Sequence, residues 1–297
     1  MKKINIVVTG GNGFIGSNVI NYLSKNKKLK IHSFYRDKLK KKLKNVNYTK
    51  LNLLKSFKFR KNISILIHCA SLTPPKTDPK ICLKKNTAMD TKILKALDLS
   101  NIKKIIFLSS ISVYKKRNMS VISEDFHLDK SNPYGLSKIL MEEELYKLSL
   151  NKKLKNIFIL RLSGVLGIGS HSNFISELYN KFKSKKFKSF YVFNSNNYYN
   201  SIIHINDLNK IIHNLIFKNS LNQLKIINIF SLNPIKWKTI FKIFKKKINN
   251  NVELFNKTSK SVSYLMSSKN RYFLDIKLPT VKKTLIKYLD EKNHKSR

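Results

Sequence analysis

A phenol and an ammonium stand four residues apart in Pro133-Tyr134-Gly135-Leu136-Ser137-Lys138. Asn132 is suited to cap a helix and Pro133 to open it. The spacing therefore predicts a helix within Ser131 to Leu150, with Tyr134, Lys138, Met141 and Leu145 on one face. Tyrosine and lysine both serve in general acid–base chemistry. Such a pair also falls together by chance in many helices, so its meaning depends on what is brought near it. Further hydroxyls come from Ser109-Ser110-Ile111-Ser112-Val113-Tyr114, which follows an apolar strand expected from Lys103 to Leu108. In open parallel sheets the carboxyl ends of the strands face the ligand crevice, which is where Ser110 is then expected.

The elements that must position these groups begin near the N-terminus. Ile4 to Val8 are mostly β-branched and read as a buried strand. Gly10, Gly11, Gly13 and Gly16 make a tight turn, and Ile15, Val19, Tyr22 and Leu23 form the apolar face of a helix. Glycines in a strand–turn–helix unit let backbone N–H groups approach a pyrophosphate at a helix N-terminus. Gly10, Gly13, Phe14, Ile15 and Gly16 are the candidate contacts for a dinucleotide. A second strand, Lys30 to Tyr35, ends without an acid at its tip, and Arg36 and Asp37 follow. A basic residue here accommodates a 2′-phosphate and an acidic one takes ribose hydroxyls. The reading is NAD(P), leaning to NADP through Arg36, with Asp37 as the competing ribose ligand.

Lys38 to Lys44 reads as an exposed basic helix. Further strands are expected at Asn47 to Leu51, Ile63 to Cys69, Ile157 to Leu162 and Ile226 to Phe230, and a helix from Asn86 to Ser100. His68 reads as a packed structural residue. The region after Phe230 reads as helix-rich, with a frayed lysine-rich tail after Asp290.

The 297 residues suffice for one nucleotide-binding domain and a smaller lobe. The 60 Lys and Arg against 16 Asp and Glu give a net charge of +44. The lysines are spread along the whole chain among Asn and Ile, which fits a compositional bias rather than a specific nucleic-acid site, although weak polyanion binding at low salt is expected. Cys69 and Cys82 are too few for a disulfide framework and have no metal-ligand spacing to the seven histidines, so no metal is expected. There is neither an 18-residue apolar run nor a signal-peptide core, which predicts a cytoplasmic protein without membrane insertion.

Taken in order, Gly10-x-x-Gly13-x-x-Gly16, the hydroxyls around Ser110, and Tyr134-x-x-x-Lys138 resemble the extended short-chain dehydrogenase/reductases, the NAD-dependent epimerase/dehydratase group, from Ile4 to about Phe230. The resemblance implies a Rossmann-type doubly wound α/β parallel sheet over 1–167, with 204–231 returning to it. A substrate-binding lobe would comprise 168–203 and 232–297. It implies that Tyr134 exchanges a proton with a substrate hydroxyl or ketone and that Ser110 orients the reacting oxygen. Lys138 would hold the nicotinamide ribose and lower the phenol pKa.

The same resemblance places Asn52 and Leu53 at the adenine, Cys69, Ala70 and Ser71 under the cofactor, and Asn86 near it at a helix start. It makes Arg161 a brace on the cofactor side of the cleft and Asp207 a helix cap. The implied substrate is a nucleotide sugar, acted on by an epimerase or a 4-ketoreductase, with a possible homodimer. Three departures stand out. Ile111 and Ser112 replace the acidic pair of dehydratases, Gly164 replaces an Asn that touches the ligand, and Asn200 replaces an Arg that grips the diphosphate. A reductase of a small non-sugar carbonyl, or a non-catalytic cofactor-sensing or nucleic-acid-binding protein, is the alternative.

Overall fold

The computed structural model describes residues 3–294 except 40, 60–61, 75, 117, 119, 151–153, 155, 185–188, 219–222, 249–251 and 260–262. The first half runs β1 (Ile4–Thr9), α1 (Phe14–Leu23), β2 (Leu29–Tyr35), β3 (Val46–Lys50), β4 (Ile65–His68), α2 (Pro79–Ala96), β5 (Lys104–Ser110), β6 (Ser120–Ile122) and α3 (Pro133–Ser149). Next come β7 (Asn156–Leu162), β8 (Gly164–Leu166), α4 (Phe174–Lys183), β9 (Ser189–Phe193), β10 (Tyr198–Tyr199), β11 (Ile202–His204) and α5 (Ile205–Phe217). The chain closes with β12 (Gln223–Ile229), β13 (Ile235–Lys236), α6 (Trp237–Ile248), β14 (Glu253–Lys257), β15 (Tyr264–Met266) and α7 (Val281–His294).

Seven strands form one sheet in the order β12-β7-β5-β4-β1-β2-β3, every pair parallel. The order reverses direction beside β1, which is the topological switch point where such sheets bind ligands. The central strands are buried on both faces, so they read as apolar runs without polar alternation. β7 is buried at all seven positions. On β1, Ile6 and Val8 join the cluster that holds Val19 of α1 and Leu208 of α5. Val7, on the opposite face, joins Ile93 of α2 and Met141 of α3. A further apolar cluster, centred on Phe182, Phe244 and Tyr288, gathers α4, α6 and α7.

Four expectations are corrected. Positions 38–43, apart from 40, carry no helix, because this lysine-rich stretch has no apolar face to bury. α2 starts at Pro79, seven residues before Asn86, because Asp78 caps it by accepting from the Lys80 and Ile81 N–H groups. α5 is capped by His204, which accepts from the Asn206 N–H, while Asp207 lies in the first turn. The tail is helical through His294, and 295–297 lie outside the described residues.

Candidate active site

The glycine turn is built by close contact. Gly10 has φ +68°, and a Cβ there would sit 2.8 Å from the Ala70 backbone. A Cβ on Gly16 would lie 2.3 Å from the Gly10 carbonyl oxygen. The β1 and β4 ends therefore pack together only through glycine. Thr9 locks this junction: its hydroxyl accepts from the Cys69 and Ala70 N–H groups, both at 3.2 Å. The remaining hydroxyl proton goes to His68 Nδ1 at 2.7 Å, and His68 Nε2–H donates to Asp90 Oδ1 at 2.8 Å. His68 is thus a buried structural link between Thr9 and Asp90.

A cleft opens over this junction. Gly10, Gly13, Cys69, Ala70 and Ser71 line its floor, and Arg36, Asp37, Asn52 and Leu53 line its outer end. Its fit to a dinucleotide shows at α1. The N-cap Gly13 supplies no side-chain hydrogen bond, whereas α2, α3, α4 and α5 are capped by Asp78, Asn132, Asn173 and His204. The first-turn N–H groups of Phe14, Ile15 and Gly16 therefore lack a side-chain acceptor, beside glycines that admit a diphosphate.

Arg36 donates through Nε and Nη2 to the Asp37 carboxylate at 2.9 to 3.2 Å, and both side chains are exposed. Asn52 turns inward on its own loop, accepting from the Leu54 N–H. Asn86 is buried and pairs with the Leu72 backbone in both directions, at 2.8 and 3.0 Å. It anchors the Ser71–Leu72 floor of the cleft.

The chemistry-bearing groups meet beside Ser71. α3 begins as expected, with the Asn132 side chain accepting from the Gly135 N–H. The Tyr134 phenol lies beside the Ser71 and Ser110 hydroxyls, both of which act to lower its pKa. Gly135 makes this possible, because a Cβ there would stand 2.2 Å from the Ser112 carbonyl oxygen. A glycine inside a helical pattern was the available signal for that close approach. Lys138 is 3% exposed. Its Nζ donates to the Leu108 carbonyl at 3.1 Å and lies 4.9 Å from the Phe107 ring centroid and 5.9 Å from that of Tyr134.

Burial pushes the Tyr134 phenol up to about 12, against the lowering effect of its hydroxyl partners. The net direction is upward, and Lys138, expected to lower it, is not among the groups that set it.

Arg161 faces inward instead of bracing the cleft. It donates in a bidentate arrangement to Glu142 of α3 at 2.6 to 3.1 Å, and to the Tyr114 hydroxyl and the Glu124 carbonyl at 2.8 and 2.9 Å. Ser109 donates to Glu142 as well. This buried network, which the linear sequence did not reveal, ties α3 to β5 and β7. Asn200 is also buried, accepting from the Met266 N–H and donating to the Met266 carbonyl, so it offers no grip on a diphosphate.

Residues 6–229 match the NAD dependent epimerase/dehydratase family. The chain belongs to that family. It is similar to the UDP-glucose 4-epimerase of Bacillus subtilis, at 31% identity over 186 residues, covering 54% of this chain and 53% of that enzyme. The match thus spans about half the length of that relative.

Among solved structures it resembles the UDP-N-acetylglucosamine 4-epimerase of Methanobrevibacter ruminantium in complex with UDP-N-acetylmuramic acid. The TM-score is 0.81 at 20% identity, over 99% of this chain and 100% of that one. It also resembles the UDP-glucuronic acid 4-epimerase of Bacillus cereus in complex with NAD, with a TM-score of 0.79 at 18% identity over 99% and 100%. These two likenesses establish the fold. Among the described residues no helix is long and apolar enough to cross a membrane.

Proposed function

We propose that the chain is an NAD(P)-dependent nucleotide-sugar 4-epimerase. The observation that carries this reading is the meeting of Tyr134, Ser110 and Ser71 beside a dinucleotide-shaped cleft, with Lys138 one helical turn below. NAD(P), when bound, would supply a hydride acceptor and, once reduced, a hydride donor. Tyr134, ionised beside Lys138 when the positively charged oxidised cofactor is bound, would receive the proton of the sugar hydroxyl during oxidation and return it during reduction. Ser110 and Ser71 fix the phenolic oxygen at the cleft edge. Lys138 binds the nicotinamide ribose and provides positive charge next to the phenol. Gly10, Gly13 and the α1 N-terminus hold the diphosphate, and Asn52 and Leu53 border the adenine. The lobe built on α4, α6 and α7 carries the nucleotide sugar.

The reading for the cofactor is NADP. Arg36 presents the guanidinium at the β2 tip, and its contacts with Asp37 use Nε and Nη2, leaving Nη1 for a 2′-phosphate. Asp37 lines the same cleft, so NAD bound through its ribose hydroxyls is the rival.

A 4-ketoreductase is the second reading, since reduction of a keto oxygen would use the same Tyr134 and Ser110 as the reduction half of the epimerase cycle. The test is incubation of the cofactor-loaded protein with UDP- and GDP-hexoses and 4-keto sugars, with product stereochemistry read by NMR. C4 inversion without net cofactor consumption is expected. Stoichiometric cofactor oxidation with 4-keto sugars would make the chain a reductase, and turnover of small non-sugar carbonyls alone would overturn the nucleotide-sugar reading.

A further inference from the structure

The end of β5 and the turn after it meet α3 at successive points. Ser109 donates to the Glu142 carboxylate, the Ser110 hydroxyl lies beside the Tyr134 phenol, and the Ser112 carbonyl backs onto Gly135. Glu142 stands one helical turn beyond Lys138, whose Nζ donates to the carbonyl of Leu108, the residue before Ser109. The Glu142 side chain is buried, and Arg161 of β7 chelates it through Nε and Nη2 at 2.6 to 3.1 Å.

Arg161 is itself held on its far side. Its Nη1 donates to the Tyr114 hydroxyl at 2.8 Å and to the Glu124 carbonyl at 2.9 Å. The Tyr114 hydroxyl in turn donates to Asn228 Oδ1 at 2.6 Å, and the Asn228 N–H of β12 donates to the Glu124 carboxylate at 2.9 Å. A planar fork fixed in this way fixes the plane of the carboxylate it grips. These bonds are directional. Met141 and Leu145, by contrast, hold α3 to the sheet through apolar contact, which has no preferred direction.

A buried ion pair adds little net stability over an apolar pair of similar volume, because desolvation of two charges offsets their attraction. What it adds here is direction. We propose that Glu142, fixed by Arg161, is a positioning residue that sets the axial place of α3 against the end of β5 and so holds the Tyr134 phenol at Ser110. The inference rests on the assignment of Tyr134 as the proton-exchanging group. Glu142 lies outside the lining of the cleft, so its effect on turnover passes through α3.

The test is a pair swap on the full chain, Glu142→Leu with Arg161→Met. It is read by urea unfolding, by C4 epimerisation of UDP-hexoses, and by the ring-carbon NMR resonance of isotope-labelled Tyr134, assigned through its loss in Tyr134→Phe. Removing both charges together leaves no unpaired ion, so the urea midpoint should stay near the wild-type value. The kcat should fall by roughly 10- to 100-fold with KM little changed, as for a misplaced catalytic group. The Tyr134 resonance should move, and in a Tyr134→Phe background the swap should add little further loss. Ser109→Ala removes only the hydroxyl that ties the carboxylate to β5. It should give a smaller fall in kcat with the same direction of resonance shift, and it decides the question where the swap loses stability.

Wild-type turnover with an unmoved resonance overturns the positioning role. So does a moved resonance with unchanged turnover, or a full further loss on top of Tyr134→Phe. If the wild type converts no nucleotide sugar, the epimerase reading fails by itself. The resonance then judges the seating of Tyr134 without any substrate: a shift upholds the role of Glu142, and no shift overturns it.

Discussion

Replacing Gly135 by alanine should reverse the usual sign of that substitution. In an exposed helix interior, Gly→Ala stabilises by about 0.8–1 kcal/mol. Here the new Cβ would stand 2.2 Å from the Ser112 carbonyl oxygen and 3.0 Å from its carbon. Both are backbone atoms, so no side-chain rotation relieves the contact, and α3 must retreat by roughly 1 Å to reach ordinary van der Waals separation. Overpacking of this kind costs about 1–3 kcal/mol, and the backbone contact argues for the upper end. The net loss, after the helical gain, is about 2 kcal/mol.

The retreat also carries Tyr134 away from Ser110, and a misplacement of that size lowers turnover by about 100-fold. Urea unfolding at constant m-value reads the stability, and turnover with cofactor affinity reads the displacement. A Gly135→Ala variant at least as stable as wild type, with unchanged turnover, would refute the account of how α3 is seated.

Arg36→Ala should weaken NADPH by about 1–2 kcal/mol and leave NADH nearly unchanged, measured by fluorescence titration; equal loss for both, or tighter native binding of NADH, assigns the selection to Asp37. His204 is fully buried, and burial together with Lys287 holds its pKa down to about 3 from 6.5. Unfolding restores the ordinary value, so the unfolded state binds more protons below about pH 6.5 and stability falls as pH drops toward 3, with a limiting slope of ~1.4 kcal/mol per unit. Urea unfolding at several acidic pH values checks this, and His204→Gln should lose that component of the slope. The +44 charge should give polyanion binding that falls steeply with salt and shows no sequence preference; a sequence-selective complex at physiological salt would contradict it.

The parts of the fold that read correctly from sequence are those with local causes. Strands buried on both faces show as apolar runs, and Asn132-Pro133 announces α3 through capping chemistry contained in adjacent residues. The start of α2 was equally local, in Asp78-Pro79, but the motif at Asn86 drew the boundary inward. The rest depended on distance in space. Glu142 and Arg161 belong to different elements, and nothing in either segment says that they chelate. The direction of the Tyr134 pKa followed the same logic: a neighbouring cation suggested lowering, and only packing shows that burial prevails. His68 read as structural, yet its role became clear only with Thr9 and Asp90 beside it.

The measurement that bears most directly on the central claim is C4 epimerisation of a nucleotide hexose by Tyr134→Phe against wild type, with cofactor affinity determined on both. The substitution removes one oxygen and leaves the ring in place, so dinucleotide binding at the glycine turn should be nearly unchanged. Turnover should fall by about 10²–10⁴, the range that general acid–base catalysis contributes. A Tyr134→Phe protein turning over at the wild-type rate would contradict the assignment of the phenol as the proton-exchanging group.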